Sequence, residues 1–318
     1  MRVLLTGWNF NPSVILGILA LASLYAYGVG PLRARFRLGE PVPRVRVVTF
    51  FLGLGVLAFA LLSPLDELGD EYLFSAHMVQ HMVLVMFVPP LLLLGTPGWL
   101  IRPMLARTGL LALARGLNNA LPAARGLTLP IAVFTLFNLD FWAWHAPVLY
   151  DLTLRNEYVH IVEHLTFLAC ATLNWLPILS PLPADLPRLP RMAQVLYLFL
   201  SCQPMVALGA LLTFAAQPLY TPYVAAPRIF GFSALVDQQV GGLIMWIPGN
   251  VVYIIMMSIV FFQWIQHQSD EAIRAEIAAD AALAAAAEDA HGETSHAQAA
   301  MPRIAIDVAE ERDVLASP

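Results

Sequence analysis

The chain has 318 residues, of which 59% are apolar and only 12% charged, and its mean hydropathy is +0.69. Soluble domains carry about 25% charged residues, so composition excludes an ordinary soluble enzyme and implies an all-α, polytopic membrane protein. All 17 basic residues are arginine, which excludes Schiff-base and P-loop lysine chemistry, and two cysteines cannot make a disulfide framework.

A helix needs about 20 mainly apolar residues to cross a bilayer. Seven stretches are expected to do so, at about 11–30, 46–63, 72–95, 127–145, 157–179, 191–215 and 236–264. The first follows a single Arg2, with no small-residue cleavage site before the next arginines. It therefore reads as a retained span rather than a signal peptide. Pro31, Pro64, Pro97, Pro130, Pro181, Pro183 and Pro218 mark boundaries, while Pro89-Pro90, Pro204 and Pro248 fall inside spans and should kink or break them.

Arginine-rich short loops stay in the cytoplasm. The loop after the first span holds Arg33, Arg35, Arg37, Arg44 and Arg46; the one after the third, Arg102, Arg107, Arg115 and Arg125; the one after the fifth, Arg188 and Arg191. The expected topology puts the N-terminus outside and the C-terminus in the cytoplasm of a multi-pass cell-membrane protein. The segment between the second and third spans agrees, since it carries Asp66, Glu67, Asp70 and Glu71 and no base. From Asp270 onward eleven acids face three arginines, a local net charge of −8 that leaves the first 269 residues at +3. Residues 1–268 thus form the membrane domain. Residues 269–318 form an acidic, Ala-rich cytoplasmic tail, helical to about Ala287 and largely disordered beyond. Nothing points to a nucleic-acid partner; the bilayer is the expected surrounding.

Ionisable groups inside spans are costly and default to functional hypotheses. Five of the eight histidines, His77, His81, His145, His160 and His164, fall in or at the ends of spans near the outer surface, and Asp237 begins the last span from the same side. His77 and His81 are four apart, as are His160 and His164, so each pair shares a helix face and can bridge one metal ion. The two segments both read H-x-x-[Q/E]-H, with Gln80 and Glu163 placed to orient an imidazole by accepting its free N–H. A lone histidine at a helix end more simply faces headgroups or makes a core hydrogen bond. Two such pairs with His145 and Asp237 at one depth favour a metal site. Imidazole suits zinc, copper, iron and nickel, and thioethers tilt a site toward reduced copper. Met78 and Met82 flank the first pair, and Met245 and Met205 are further candidates, although methionine also fills gaps in cores. Cys170 and Cys202 read as small packing residues, and His267, His291 and His296 as bland.

At these residues the chain resembles a known family. Ser75-Ala-His-Met-Val-Gln-His-Met-Val-Leu with Pro89-Pro90 and Gly95-Thr-Pro97 is similar to the Bacillus-type cytochrome c oxidase assembly factor CtaG, the caa3-oxidase family. So are Trp144-His-Ala-Pro-Val-Leu-Tyr150 with His160-x-x-x-His164, Gln217-Pro-Leu-Tyr220, and Asp237-Gln-Gln-Val-Gly-Gly-Leu-Ile-Met-Trp246 with Pro248-Gly249. The resemblance covers about residues 45–265 and implies a seven-span, non-enzymatic factor needed for an active haem–copper oxidase. It further implies copper loading: an extracytoplasmic copper donor, a nascent oxidase subunit as recipient, and a ligand set drawn from the histidines, Asp237, Met78, Met82 and Met245. The copper chaperone that shares the CtaG name differs, since no Cys-x-Cys occurs here. Two other readings compete. His160-x-x-Glu163-His164 fits an intramembrane zinc hydrolase with Glu163 as general base, and histidines from two helices would suit a membrane haem protein.

Overall fold

The computed structural model describes residues 7–120 and 126–299, and every described element is helical. The chain divides into two compact units, residues 1–261 and 262–318. The candidate site lies wholly in the first.

Helix α1 (Pro12–Tyr27) passes through a π turn (Gly28–Leu32) into α2 (Arg33–Phe36), and α3 (Arg44–Leu62) follows. A short amphipathic helix, α4 (Pro64–Glu71), leads to α5 (Phe74–Met86) and α6 (Val88–Gly95). Next come α7 (Gly98–Arg107), α8 (Leu110–Asn119), α9 (Thr128–Trp144), α10 (Pro147–Thr153), α11 (Glu157–Leu179), α12 (Arg191–Thr213), α13 (Thr221–Ala225) and α14 (Ala234–Ala299). Among the described residues, six helical segments are long and apolar enough to cross a membrane: Pro12–Phe36, Arg44–Leu62, Phe74–Gly95, Glu157–Leu179, Arg191–Thr213 and Ala234–Ala284. The fourth of the seven expected spans is α9, with 17 residues. That is about 26 Å at 1.5 Å per residue, against a hydrocarbon core of about 30 Å. It stops at His145 because Ala146 is extended and Pro147 opens a new helix.

Of the expected internal prolines, only Pro89-Pro90 ends a helix. Pro89 has no N–H to give to Val85 O four residues back. The indole Nε1 of Trp175 donates to that carbonyl instead, at 3.1 Å, so the break between α5 and α6 is satisfied from α11. Pro204 and Pro248 lie within continuous helices. Small residues set the close approaches, as between membrane helices generally. A Cβ on Gly209 of α12 would lie 2.9 Å from Gly242 O of α14, and one on Gly242 would lie 2.7 Å from Gly209 O. Tyr25 stacks on Phe50 with centroids 3.7 Å apart and donates to Gly95 O at 2.9 Å, which ties α1, α3 and α6 together.

The arginine-bearing loops meet at one end of the first unit. Trp99 packs on Gly39, Gly98 abuts the Pro181 carbonyl, and Arg102 and Arg115 share Asp185. His160, at the start of α11, lies at the other end from Ser180, which closes that helix.

In the second unit the helix runs to Ala299 rather than stopping near Ala287. Its alanine and glutamate content favours this. The expected disorder of residues 300–318 lies outside the described residues. His267 is exposed and sits 3.3 Å from Glu271 one turn on, in keeping with a solvated face. The side chains of His291 and His296 also lie outside the described residues.

Trp175→Phe keeps the ring and removes the N–H that serves Val85 O. Thermal unfolding in detergent should show a loss of about 1–3 kcal/mol, the cost of an orphaned buried carbonyl; an unchanged midpoint would contradict the role assigned to this bond.

Candidate metal centre

Local sequence decides where the histidines emerge. Asn156 caps α11, its Oδ1 accepting from Tyr158 N at 3.0 Å and Val159 N at 3.3 Å, so His160 and His164 occupy the first two turns. Leu73, at the N-cap of α5, offers no side-chain acceptor. Asp237 supplies one from α14, accepting from Phe74 N at 2.7 Å and from Ser75 N and Oγ at 3.2 and 2.5 Å. Asp237 is therefore occupied as an interhelical cap and is not among the groups that converge on the histidines, a correction to its expected place in the ligand set.

The two histidine pairs face each other. Ring centroids are 4.1 Å apart within His77–His81 and 4.2 Å within His160–His164; across the helices, His77–His160 measures 5.4 Å and His81–His164 5.3 Å. The Nε2 atoms of His160 and His164 approach to 3.1 Å. Asp70, from α4, spans both helices: its Oδ1 lies 3.5 Å from His77 Nδ1 and its Oδ2 3.4 Å from His160 Nδ1. Two triads result, His77–His81–His164 and Asp70–His77–His160, each with its ligand atoms within 4.8 Å of one another. They share His77. Metal–imidazole bonds of about 2.0–2.1 Å put ligand nitrogens roughly 3–4 Å apart, so little contraction is needed.

The burial makes the arrangement costly. His77 is 0% exposed and His81 5%, yet neither ring has a nitrogen at hydrogen-bonding geometry with another group, and both carboxylate oxygens of Glu163 are likewise orphaned. Thr153, beside Glu163, donates its hydroxyl proton to Tyr150 O at 2.7 Å. Buried polar atoms without partners cost free energy, and a cation would satisfy the imidazoles here. The residues present thus fit a metal ion.

His145 stands apart from the triads, its ring centroid 6.3 Å from that of His81. Its Nδ1 meets Phe141 O at 2.7 Å; a carbonyl only accepts, so Nδ1 carries the proton and the buried, unpaired Nε2 keeps its lone pair. Met78, Met82 and Met245 are also outside the triads, lining a cavity on a different face of α5. Gln80 does not orient a histidine. Its Nε2 donates to Asp66 Oδ1 at 2.6 Å and Ala60 O at 3.0 Å, which fastens α4 to α3 and α5. Glu163, its counterpart, does face a histidine, with Oε1 3.9 Å from His81 Nε2. The matching H-x-x-[Q/E]-H segments thus serve different ends. Cys170 and Cys202 are free and buried, as expected.

Tyrosines wall the site. Tyr150, Tyr220 and Tyr223 are buried; Tyr150 and Tyr223 pair through their hydroxyls at 3.2 Å, Tyr223 donates to Gly69 O at 2.6 Å, and Tyr220 donates to His145 O at 3.1 Å. Burial holds the Tyr150 and Tyr223 phenols well above their ordinary range, so they remain neutral donors.

The family model for the cytochrome c oxidase caa3 assembly factor (Caa3_CtaG) matches residues 23–267. The chain belongs to that family. The match covers all five clustered histidines and α4. The chain is 28% identical over 290 residues to an uncharacterised protein of Mycobacterium bovis and to one of Mycobacterium tuberculosis, covering 87% of this chain and 42% of each relative. A protein of Mycobacterium leprae is 27% identical over 296 residues, with 88% and 42% covered. The chain thus spans less than half the length of these relatives. No solved structure matches it.

Within this caa3 assembly-factor chain, sequence reasoning missed Asp70, the three tyrosines and Asp140. The acids of residues 66–71 signalled topology only, although a carboxylate four residues from Asp66, on the same helix face, was available as a ligand. Asp140 is a further ionisable residue within an expected span. It lies in α9 and accepts from Trp144 Nε1 at 3.0 Å.

Burial, reinforced by Asp70, pushes the Asp66 carboxyl up to about 6, and burial, reinforced by Glu71 and opposed by His160, does the same to Asp70. The native state then binds protons that the unfolded chain has released, so stability falls as pH rises from about 4 to about 6. Asp66→Asn removes one such group. In chelator-treated protein, the decline in unfolding temperature between pH 4 and pH 6.5 should be shallower than in wild type; an equal slope would contradict the assignment.

Proposed function

We propose that the chain is a seven-span protein of the plasma membrane that accepts copper at the histidine site and delivers it to a nascent cytochrome c oxidase subunit. The N-terminus is outside and the C-terminus cytoplasmic, because the arginine-bearing loops gather at the end of the bundle away from the histidines. The histidine site then faces the extracytoplasmic side, where a copper donor reaches it. The observation that carries this reading is the pair of triads sharing His77, in which the buried His77 and His81 imidazoles have no hydrogen-bond partner. Family membership supplies the oxidase as the client.

The arrangement suits transfer better than storage. The Asp70 side chain is 29% accessible, against 12% for His160 and 0% for His77, so the outer triad is the one that reaches toward the surface. The inner triad, all imidazole, prefers a softer ion. His77 belongs to both, so the two triads adjoin and an ion released by one is next to the other.

The hydrolase alternative ranks second because a five-residue match carries little by itself and its twin segment on α5 has Gln80 where a general base would stand. The haem alternative is weakened because Tyr150, Phe141 and Phe167 are in ring contact with His77, His145 and His81, where a porphyrin would need space. Glu163→Gln separates hydrolase from carrier: a hydrolase loses its activity outright, whereas a carrier keeps most of its oxidase support.

Deleting the gene should lower cytochrome c oxidase activity while leaving other respiratory enzymes intact. Complementation with His77→Ala or His164→Ala, expressed at wild-type level, should fail. Full oxidase activity in the deletion strain would overturn the proposal.

A further inference from the structure

Five of the eleven methionines line one cavity. Met78, Met82 and Met86 are spaced by four along α5 and share a face; Met205 comes from α12 and Met245 from α14. All five are buried, Met78 and Met245 at 1% exposure. Each α5 methionine that follows a histidine is turned by about 100° from it, so one face of α5 presents imidazoles to α11 and another presents thioethers to α12 and α14.

A methionine stripe at helical spacing is usually core filler. Two observations set this one apart. The thioethers line a small cavity, and His81 and His145, each with a buried Nε2 that has no hydrogen-bond partner, line it with them. Gly249 of α14 lets two of the methionines pack close against that helix: a Cβ there would come within 2.5 Å of the Met205 methyl and 2.8 Å of the Met82 methyl. Thioether sulfur with one or two imidazoles selects a soft, monovalent ion and offers little to a hard divalent one.

We propose that this cavity is a second metal site, holding Cu(I) through Met82, Met205 and Met245 with His81 or His145, and that His81 hands the ion to it from the histidine triad. The inference rests on the copper reading above. His81 is a member of the inner triad and a wall of the cavity, so the two sites share a ligand just as the two triads share His77. The order of donors from surface to interior is carboxylate, imidazole, thioether. No change of oxidation state is needed, since Cu(I) is the species bound throughout.

The test is anaerobic titration of the purified full-length protein with Cu(I) against a competing chelator, followed by X-ray absorption on the loaded protein. Wild type should bind one ion more than the Met205→Leu/Met245→Leu variant, and sulfur scattering seen in wild type should be lost in that variant. Leucine approximates methionine in volume, so the substitution removes the sulfurs while largely keeping the packing. Should the leucine variant fail to fold, the wild-type spectrum decides, since the proposal requires sulfur at the copper. Binding with nitrogen and oxygen neighbours alone would overturn this second site and leave the histidine site standing. No Cu(I) binding at all would overturn both.

Discussion

Five ring nitrogens, two each on His77 and His81 and one on His145, sit buried at one end of the helical bundle with no hydrogen-bonding partner, and the rest of the site is arranged around that fact. In a water-poor interior an unsatisfied polar group is expensive. Glu163 does not relieve the cost at His81, since it stays 3.9 Å away and its oxygens are themselves orphaned. A sequence that tolerates so many open valences in one place holds lone pairs in readiness for a cation, and the fold supplies the rigidity that keeps them from finding each other.

That rigidity is visible in how the helices bearing the histidines are fixed. Helix α5 is pinned at its start by Asp237, in the middle by the Gln80–Asp66 bond, and at its broken end by Trp175 on the Val85 carbonyl. Each tie comes from a different helix, so the facing pairs cannot slide in register without breaking a buried bond. The tyrosine wall closes the remaining side, and its hydroxyls spend themselves on one another and on backbone carbonyls rather than on the imidazoles. The ring nitrogens are thus left open by construction.

The sequence was informative where helical geometry is local. Spacing of four placed His77 with His81 and His160 with His164 on shared faces, and prolines located most helix boundaries. It was silent where the answer depends on which neighbour a face meets. Met78 and Met82, adjacent in sequence to the paired histidines, turn toward α12 and α14 and line a separate cavity. Asp237, at the right depth for a ligand, caps α5 instead, because the first N–H groups of that helix had no other acceptor. Asp70 enters from a helix that is too short and too polar to register as part of the membrane domain. Gln80 and Glu163, equivalent by position, diverge because Gln80 meets Asp66 of α4 and the Ala60 carbonyl, whereas Glu163 faces His81.

On the proposal above, the facing helices share one ion through His77. Anomalous diffraction at the copper edge from crystals of the copper-loaded protein tests it most directly. The account predicts a peak within bonding distance of a His77 ring nitrogen, about 2 Å, shared either with His81 and His164 or with Asp70 and His160. Copper bound only elsewhere on the chain, with His77 unligated, would contradict it.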